Sequence, residues 1–230
     1  MGRAAPDACR QMRAVAAALF GADVAVAVRD PRGPQPTLLP GEDGHLARAT
    51  AARRREFAAG RTAVRQAMAQ LGGAAVAIPQ GPDRAPLWPA GWQGSLSHSD
   101  RLCVAVVTRA PRTLGVDIEP DQAMPEDMQT TICSERELDR IEGPQRGHLA
   151  TLVFSAKEAV YKAQFGQSGL LFGFDHIDVR LDPAAHRFTA TFIKPANPFA
   201  PGDTLQGRFG RAAGHLVTAV AIGQGAGKGA

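Results

Sequence analysis

The chain of 230 residues is long enough to bury a substantial core, as one large domain or two small ones. Its 44% hydrophobic and 21% charged content is typical of a globular protein, and its apolar stretches are too short to cross a bilayer. The net charge of +4 and the concentration of arginines in the N-terminal half indicate an anionic partner: nucleic acid, a phosphorylated cofactor or an acidic protein. An aromatic content of 6% and the lack of a nucleic-acid motif argue against nucleic acid.

The N-terminus and the cysteines indicate the compartment. Residues 1–20 lack the strong apolar centre and the cleavage pattern of a signal peptide. The three cysteines are odd in number and widely spaced, which favours neither a disulfide framework nor a zinc site. We therefore expect a cytoplasmic protein with reduced thiols and no membrane span.

Apolar periodicity and turn residues define the elements of the first half. They predict a helix over 1–20, a strand over 24–28, a loop over 30–41, a helix over 44–71, a short strand over 76–78, a long loop over 79–94 and a strand over 103–108. Gly72 and Gly73 end the long helix, and residues 109–113 are predicted to form a hinge between halves.

The second half begins with an apolar strand over 114–118 and continues with helices. Ser134 and Glu137 have the spacing of a capping box, and a helix is predicted over 150–165, which contains no proline. Antiparallel strands are predicted over 177–181, 187–193, 204–211 and 215–222, and a disordered tail over 223–230. The order of elements predicts an α+β fold of two similar halves, residues 1–111 and 112–222.

Two carboxylates end the first strand of the second half. Because successive strand side chains alternate, Asp117 and Glu119 point to the same side, a costly arrangement unless a cation lies between them. Glu158 is the candidate third carboxylate, with Lys157 and Lys162 flanking it on the same helix. Hard oxygen ligands without nearby Cys or His favour magnesium or manganese. The alternative is structural: the acids face solvent, and Glu158 pairs with Lys162 along the helix.

Arginines follow one side of the helix predicted over 44–71. At about 100° per residue, Arg54, Arg61 and Arg65 fall together beside an apolar stripe, whereas Arg53 lies on the opposite border of that stripe. The row is either a solvated flank or a phosphate clamp at the edge of a cleft.

A hydroxyl and an imidazole follow the long loop. Ser97 and His98 are predicted to be presented from a loop, where small polar groups suit phosphate binding. The chain has no G-x-S-x-G elbow, no Walker A loop and no dinucleotide-type glycine fingerprint. These absences argue against serine hydrolysis and against the common nucleotide-binding folds.

Five segments together resemble the 4'-phosphopantetheinyl transferases, specifically the two-half bacterial group that includes the enterobactin-synthase activating enzymes. The segments are 53–57 with Gly60 and Arg61, 84–89, 94–98, 115–119 and 154–162. The resemblance implies a pseudo-twofold pair of halves with the active site in the cleft between them. It also implies transfer of the phosphopantetheine arm of coenzyme A to a serine of an apo acyl, peptidyl or aryl carrier protein, releasing adenosine 3',5'-bisphosphate.

On the matching positions, the resemblance implies that Asp117, Glu119 and Glu158 hold magnesium against the coenzyme A diphosphate. Glu158, directly or through metal-bound water, would help to deprotonate the carrier serine. Lys162 would stabilise the leaving phosphate, and Lys157 would support the diphosphate.

Asp117 and Lys162 would also contact coenzyme A on its diphosphate side. A second group of residues would hold the 3'-phosphate and the adenosine of coenzyme A. This group comprises Arg53 or Arg54, Arg61, Arg84 and His98, with Ser97 adding a hydrogen bond. Helical projection favours Arg54 for the first arginine role, whereas the spacing to Arg61 in the resemblance favours Arg53.

The resemblance also bears on partners. It suggests carrier docking near residues 120–142, where Met124, Met128 and Ile132 either contact a carrier helix or pack on their own core. It implies a monomer, because smaller members of the wider family trimerise to build the same cleft, and it implies a role in siderophore or other nonribosomal peptide, polyketide or fatty acid synthesis.

Two alternatives belong to other classes. A non-catalytic relative that binds coenzyme A or a carrier would be expected to have lost Glu158 or Lys162. Another magnesium-dependent phosphotransferase would not need Ser97 and His98 together with an arginine helix.

Overall fold

A computed structural model describes residues 4–223 of the chain. The first part of the described chain contains two helices and three strands: α1 (Ala4–Ala18), β1 (Val24–Arg29), α2 (Ala51–Gln70), β2 (Gln93–His98) and β3 (Cys103–Thr108). The strands form an antiparallel sheet in the order β1-β3-β2. Helix α2 covers one face of this sheet, where alanines and valines of β1 and β3 meet its apolar stripe.

The second part contains three α-helices, a short 3-10 helix (Phe174–His176) and five strands. They are β4 (Arg112–Pro120), α3 (Glu126–Ile132), α4 (Glu135–Arg140), α5 (Arg146–Ser168), β5 (Ile177–Asp182), β6 (Arg187–Phe192), β7 (Thr204–Ala212) and β8 (His215–Gly223). The strands form a second antiparallel sheet in the order β4-β8-β7-β6-β5.

The two sheets share a hydrophobic core. Even-numbered residues of β4, namely Leu114, Val116 and Ile118, pack with the valines of β1 and β3 and with Met12 of α1. The odd-numbered residues of β4 therefore point the other way, towards α5. The resulting order of packing is α2, three-stranded sheet, five-stranded sheet, α5, and β2 of the first part lies next to β4 of the second.

Gly115 brings β4 into direct contact with the backbone of α5. A methyl group on this residue would overlap the carbonyl oxygen of Ala159. Two residues earlier, the side chain of Thr113 lies against Gly166 of the helix. At Gly115, two residues before Asp117, strand and helix meet without an intervening side chain.

The structure confirms the α+β prediction: helices pack on two antiparallel sheets. The four strands predicted near the C-terminus are present, the three cysteines are free, and Ser134 and Glu137 form the predicted capping box. A pseudo-twofold relation between the halves stays a prediction, and the predicted disordered tail lies outside the described residues except for Gly223, which ends β8. No helix in the described part of the chain is both long enough and apolar enough to cross a membrane.

Three local predictions in the first half are wrong. Helix α2 begins at Ala51 rather than near residue 44, because the Thr50 side chain accepts a hydrogen bond from the Arg53 backbone N–H and caps the helix there. Residues 76–78 form no strand, since the backbone N–H of Ile78 donates to the buried Glu42 carboxylate instead of a strand partner. Ser97 and His98 lie on strand β2, not on a loop.

Candidate active site

A cavity of about 530 Å³ lies between the two parts of the chain. The first part contributes one side of α2, the loop over 80–88 and strand β2. The second part contributes Thr113 and Leu114 of β4, Tyr161, Lys162 and Phe165 of α5, and Leu171. The arginine helix and the Ser-His strand predicted to bind phosphate therefore face the same space as the helix that carries Glu158.

Arg61 forms the most buried cationic part of the cavity wall. Only 3% of its surface is exposed, its Nε has no hydrogen-bond partner, and its guanidinium lies 4.2 Å from the centre of the Phe57 ring. Burial lowers the pKa of Arg61 to about 10, with the neighbouring charges of Arg65 and Arg53 acting in the same direction and Glu42 opposing them. A buried cation without a full set of acceptors is costly, and an anionic ligand in the cavity would supply them.

Arg53 and His98 form a second basic group on the wall. Arg53 Nη1 lies 2.7 Å from His98 Nε2, so the guanidinium donates and the imidazole accepts. Burial lowers the pKa of His98, the charges of Arg53 and Lys162 lower it further, and Glu56 opposes them. His98 is therefore neutral at pH 7, and both side chains line the cavity.

The loop over 80–88 places Arg84 in the cavity wall. Arg84 has a φ of +68°, a left-handed backbone conformation that is unfavourable for a residue with a side chain. The side-chain amide of Gln80 donates to the Arg84 carbonyl at 2.9 Å, which holds this conformation. Strained residues of this kind are concentrated at functional sites.

Arg54 does not reach the cavity. It donates to the backbone carbonyls of Ala49 (3.2 Å) and Ala47 (3.0 Å), in the loop that precedes α2. Arg65 pairs with Glu42 at 2.6 Å. The helical projection that favoured Arg54 over Arg53 is thus contradicted by the contacts, and the spacing argument agrees with them.

Lys157 also lies away from the cavity, contrary to the role predicted for it at the diphosphate. Only 2% of its side chain is exposed. Its ammonium donates to Glu137 Oε2 at 2.7 Å and to the carbonyls of Ile132 and Phe174, both at 2.9 Å. All three of its protons are therefore used inside the protein, and none is free for a ligand.

The three apolar residues considered for carrier docking do not share one environment. They are Met124, Met128 and Ile132, for which the alternatives are contact with a carrier helix or packing in the protein's own core. Met124 and Ile132 are buried in the core of the second part. Met128 is 47% exposed. A continuous apolar surface made of all three residues is therefore absent.

Asp117, Glu119 and Glu158, here called the acidic edge, lie next to residues of the cavity wall but do not line it themselves. Asp117 is 3% exposed, and its Oδ1 accepts hydrogen bonds from Ser97 Oγ (2.8 Å) and Lys162 Nζ (2.7 Å). Its Oδ2 is buried and has no partner. Because Ser97 and Lys162 both line the cavity, they join the acidic group to it.

Glu119 and Glu158 are the other two acids at this edge. Burial raises the pKa of Glu119 to about 7, the charges of Asp117 and Glu158 add to the effect, and Lys162 opposes it. Burial also raises the pKa of Glu158, with Lys162 opposing and Asp117 adding to the rise. The three acids are therefore close enough to repel one another.

The acidic edge fits a hard divalent cation. Within residues 4–223, no three acidic, histidine or cysteine side chains are already arranged as a complete ligand set. The donor chemistry nevertheless suits magnesium or manganese, because the available ligands are carboxylate oxygens. A cation between them would relieve the repulsion and give the unpartnered Oδ2 of Asp117 a ligand bond.

In metal-free protein, we expect Glu119→Gln to reduce the dependence of stability on pH. The folded-state pKa of about 7 exceeds the ordinary value of 4.5, so folding takes up protons between these values, and stability falls as pH rises through that window. The difference between the two pKa values corresponds to about 3 kcal/mol, and solvent screening of the partly exposed side chain reduces it. Above pH 7 the variant should therefore be more stable than the wild type by about 2 kcal/mol, since it buries no charge there. Urea unfolding in EDTA at pH 5 and pH 8 measures the difference, and an equal difference at both pH values would contradict the expectation.

Sequence reasoning missed several residues of the cavity wall. Tyr161 and Phe165 of α5 both line the cavity and lie three and seven positions after Glu158, a helical spacing that could have identified them. Glu56 lies 3.4 Å from Arg53 Nη1 and 3.8 Å from His98 Nδ1. Its place three residues after Arg53 was the available signal.

The comparison with known proteins agrees with this arrangement. Residues 41–108 match the family model of the 4'-phosphopantetheinyl transferase N-terminal domain, and residues 113–218 match that of the 4'-phosphopantetheinyl transferase superfamily. The chain belongs to the 4'-phosphopantetheinyl transferase superfamily, whose members transfer phosphopantetheine from coenzyme A to carrier proteins.

Individual relatives extend over most of the chain. It is 36% identical over 211 residues to the 4'-phosphopantetheinyl transferase Svp of Streptomyces mobaraensis, covering 86% of this chain and 83% of the relative. It is 33% identical over 205 residues to the 4'-phosphopantetheinyl transferase PptT of Mycobacterium tuberculosis, covering 84% and 88%. Enterobactin synthase component D of Salmonella typhi is 37% identical over 139 residues, covering 58% of this chain and 57% of that protein.

Proposed function

We propose that this chain transfers the 4'-phosphopantetheine arm of coenzyme A to a serine of an apo acyl, peptidyl or aryl carrier protein, with adenosine 3',5'-bisphosphate as the second product. One observation carries the proposal: the same cavity is lined by the buried Arg61, whose Nε lacks an acceptor, and by Ser97 and Lys162. These last two residues hold Asp117, whose buried Oδ2 lacks a partner. Coenzyme A carries a 3'-phosphate at one end of its nucleotide and a diphosphate nearby, which need a cationic pocket and a metal site respectively.

The basic wall would hold the 3'-phosphate and adenosine. Arg61 supplies a desolvated charge, and Arg53 supplies a second guanidinium already oriented by the neutral imidazole of His98. Arg84 would close the phosphate pocket from the opposite loop. Charge-assisted hydrogen bonds of this kind are stronger than neutral ones and specific in geometry.

The acidic edge would hold the metal. Asp117, Glu119 and Glu158 would be its protein ligands, and magnesium bound there would neutralise charge on the diphosphate and on the leaving phosphate. Lys162 lies beside Asp117 on the cavity wall, where its ammonium would stabilise the negative charge of the leaving group.

Glu158 would act as the base that accepts the proton of the carrier serine, directly or through water. Burial raises the pKa of its carboxyl group and so favours proton uptake, an effect that a bound cation would oppose. The attacking serine oxygen would then displace adenosine 3',5'-bisphosphate from the phosphorus of the pantetheine phosphate. The proton taken from the serine stays on Glu158 until solvent removes it.

The cavity is built from a single chain, which supports a monomer as the active form. The three free thiols support a reducing compartment such as the cytoplasm. Relatives that include an enterobactin synthase component support a role in siderophore or other nonribosomal peptide synthesis or in polyketide synthesis.

Intact-mass analysis tests the reaction. Apo peptidyl carrier protein incubated with this protein, coenzyme A and magnesium is expected to gain one phosphopantetheine group and to release one adenosine 3',5'-bisphosphate. The matched controls are the same mixture with EDTA and a carrier whose acceptor serine is replaced by alanine; neither should gain mass. A folded protein that binds coenzyme A but modifies no carrier of the acyl, peptidyl or aryl type would favour the non-catalytic alternative.

Arg61→Met is expected to weaken recognition of the 3'-phosphate. The loss of a charged hydrogen-bonding group should raise the KM for coenzyme A by about 10- to 100-fold. The KM for 3'-dephospho-coenzyme A, which lacks the contacted group, should change much less. Steady-state transfer assays with both substrates measure this.

Arg54→Met is the matched control for Arg61→Met. The two arginines share helix α2, but Arg54 contacts only the preceding loop. The substitution Arg54→Met should leave the ratio of the KM for coenzyme A to that for 3'-dephospho-coenzyme A unchanged. Equal effects of both substitutions on that ratio would show that Arg61 does not contact the 3'-phosphate.

A further inference from the structure

Strand β2 directs two buried hydroxyls at strand β4. Ser95 is 5% exposed and Ser97 is 7% exposed, and both lie on the face of β2 that meets the second part of the chain. Ser95 Oγ accepts from the Val116 backbone N–H at 3.1 Å. Ser97 Oγ donates to Asp117 Oδ1 at 2.8 Å. The same strand thus makes two contacts across the interface, but only one of them reaches a carboxylate.

The contact from Ser97 determines which oxygen of Asp117 is free. Oδ1 accepts from Ser97 and also from Lys162 at 2.7 Å, while Oδ2 is buried without a partner. A carboxylate held through one oxygen cannot rotate about its last bond without breaking these hydrogen bonds. Oδ2 is therefore the oxygen that is kept available for a cation.

We propose that Ser97 is a positioning residue for the metal: it fixes Asp117 so that Oδ2 serves as the ligand. This inference rests on the proposed function. Hydrogen bonds to a ligand's other atoms orient it, and their loss typically lowers metal affinity or activity by about 10- to 100-fold. The role differs from a direct hydrogen bond between Ser97 and coenzyme A.

The proton count separates the two roles. A serine hydroxyl has one proton, and that of Ser97 is donated to Asp117. A phosphate of coenzyme A at neutral pH accepts hydrogen bonds rather than donating them, so it would compete with Asp117 for the same proton. The next residue, His98, points to the other side of the strand and lies beside Arg53. On strand β2, His98 therefore faces the proposed phosphate pocket, and Ser97 faces the proposed metal site.

The test compares Ser97→Ala with Ser95→Ala. Both variants lose a buried hydroxyl from β2 and one hydrogen bond across the interface, but only Ser97→Ala loses the contact with Asp117. Titration with Mn²⁺, followed by the electron paramagnetic resonance signal of the free ion, gives the metal affinity with and without coenzyme A. Calorimetry with coenzyme A in EDTA gives the affinity for the substrate alone, and thermal unfolding verifies that each variant is folded.

We expect Ser97→Ala to bind Mn²⁺ at least 10-fold more weakly than the wild type and to bind coenzyme A in EDTA with unchanged affinity. Ser95→Ala should match the wild type in both measurements, and Ser97→Thr, which keeps the hydroxyl, should restore Mn²⁺ binding. In transfer assays, the loss in Ser97→Ala should be reduced at high Mn²⁺ concentration.

Three results would overturn the inference. Weaker binding of coenzyme A in EDTA with normal Mn²⁺ affinity would assign Ser97 to the substrate. Equal losses in Ser95→Ala and Ser97→Ala would assign it to the interface alone. Wild-type protein that transfers phosphopantetheine but binds no Mn²⁺ would refute the metal site, whereas Mn²⁺ binding without transfer would refute the proposed reaction and leave the role of Ser97 at the metal intact.

Discussion

Replacing Lys157 with methionine is expected to lower the free energy of unfolding by about 3–5 kcal/mol, because it leaves a buried carboxylate without its cation. Glu137, the partner, is fully buried and also accepts from the backbone N–H groups of Ser134 and Val179, both at 2.7 Å. The ammonium of Lys157 additionally holds the carbonyls of Ile132 and Phe174. One side chain thus joins α5 to α4, to the end of α3 and to the short 3-10 helix that precedes β5.

Thermal unfolding of Lys157→Met measures this effect, and a chain of this size should lose roughly 10 °C in Tm. The double variant Lys157→Met, Glu137→Gln is the control: it removes the unpaired charge and should recover part of the loss. A single variant with normal Tm and weakened binding of coenzyme A would instead support the diphosphate role first predicted for Lys157.

The adjacent residue has the opposite expected behaviour. Glu158→Gln is expected to slow phosphopantetheine transfer by about 10²- to 10⁴-fold, the range for loss of a general base. The reason is that the amide can neither accept the serine proton nor neutralise a cation. In EDTA, the Tm of the Glu158→Gln variant should equal or exceed that of the wild type, because burial and the charge of Asp117 already disfavour the ionised form of Glu158.

The rate of holo-carrier formation at saturating coenzyme A and magnesium measures the effect of Glu158→Gln. Coenzyme A affinity in EDTA should be unchanged, which separates loss of chemistry from loss of substrate binding. A variant that retains the wild-type rate would remove Glu158 from both of its proposed roles. Lys157 and Glu158 are separated by about 100° around the helix. The two variants therefore also test whether Lys157 serves the protein core while the adjacent Glu158 serves the candidate active site.

Sequence reasoning succeeded where local patterns determine structure. The alternation on β4 placed Asp117 and Glu119 on one face, and the capping box at Ser134 and Glu137 needed only four consecutive residues. These features depend on backbone geometry and on neighbours in the chain.

The errors concern side chains whose hydrogen-bond partners are backbone atoms that the sequence pattern does not reveal. Lys157 was assigned to a ligand because nothing in the sequence shows that the carbonyls of Ile132 and Phe174 meet its ammonium. The helical projection misplaces Arg54, because it does not show that residues 44–50 form a loop. In a helix the carbonyls of that turn would be engaged along the axis, whereas in the actual loop those of Ala47 and Ala49 are free to accept from Arg54.

Gly115 affects how related sequences should be interpreted. Its missing side chain lets β4 touch the carbonyl of Ala159, which fixes the distance between the backbones that carry Asp117 and Glu158. A relative with alanine or serine at this position would have to move the helix outward, separating the acids even though all of them remain in its sequence. A count of the acidic residues would classify such a protein as an active enzyme, and the residue at the glycine position would show that the proposed metal ligands no longer meet.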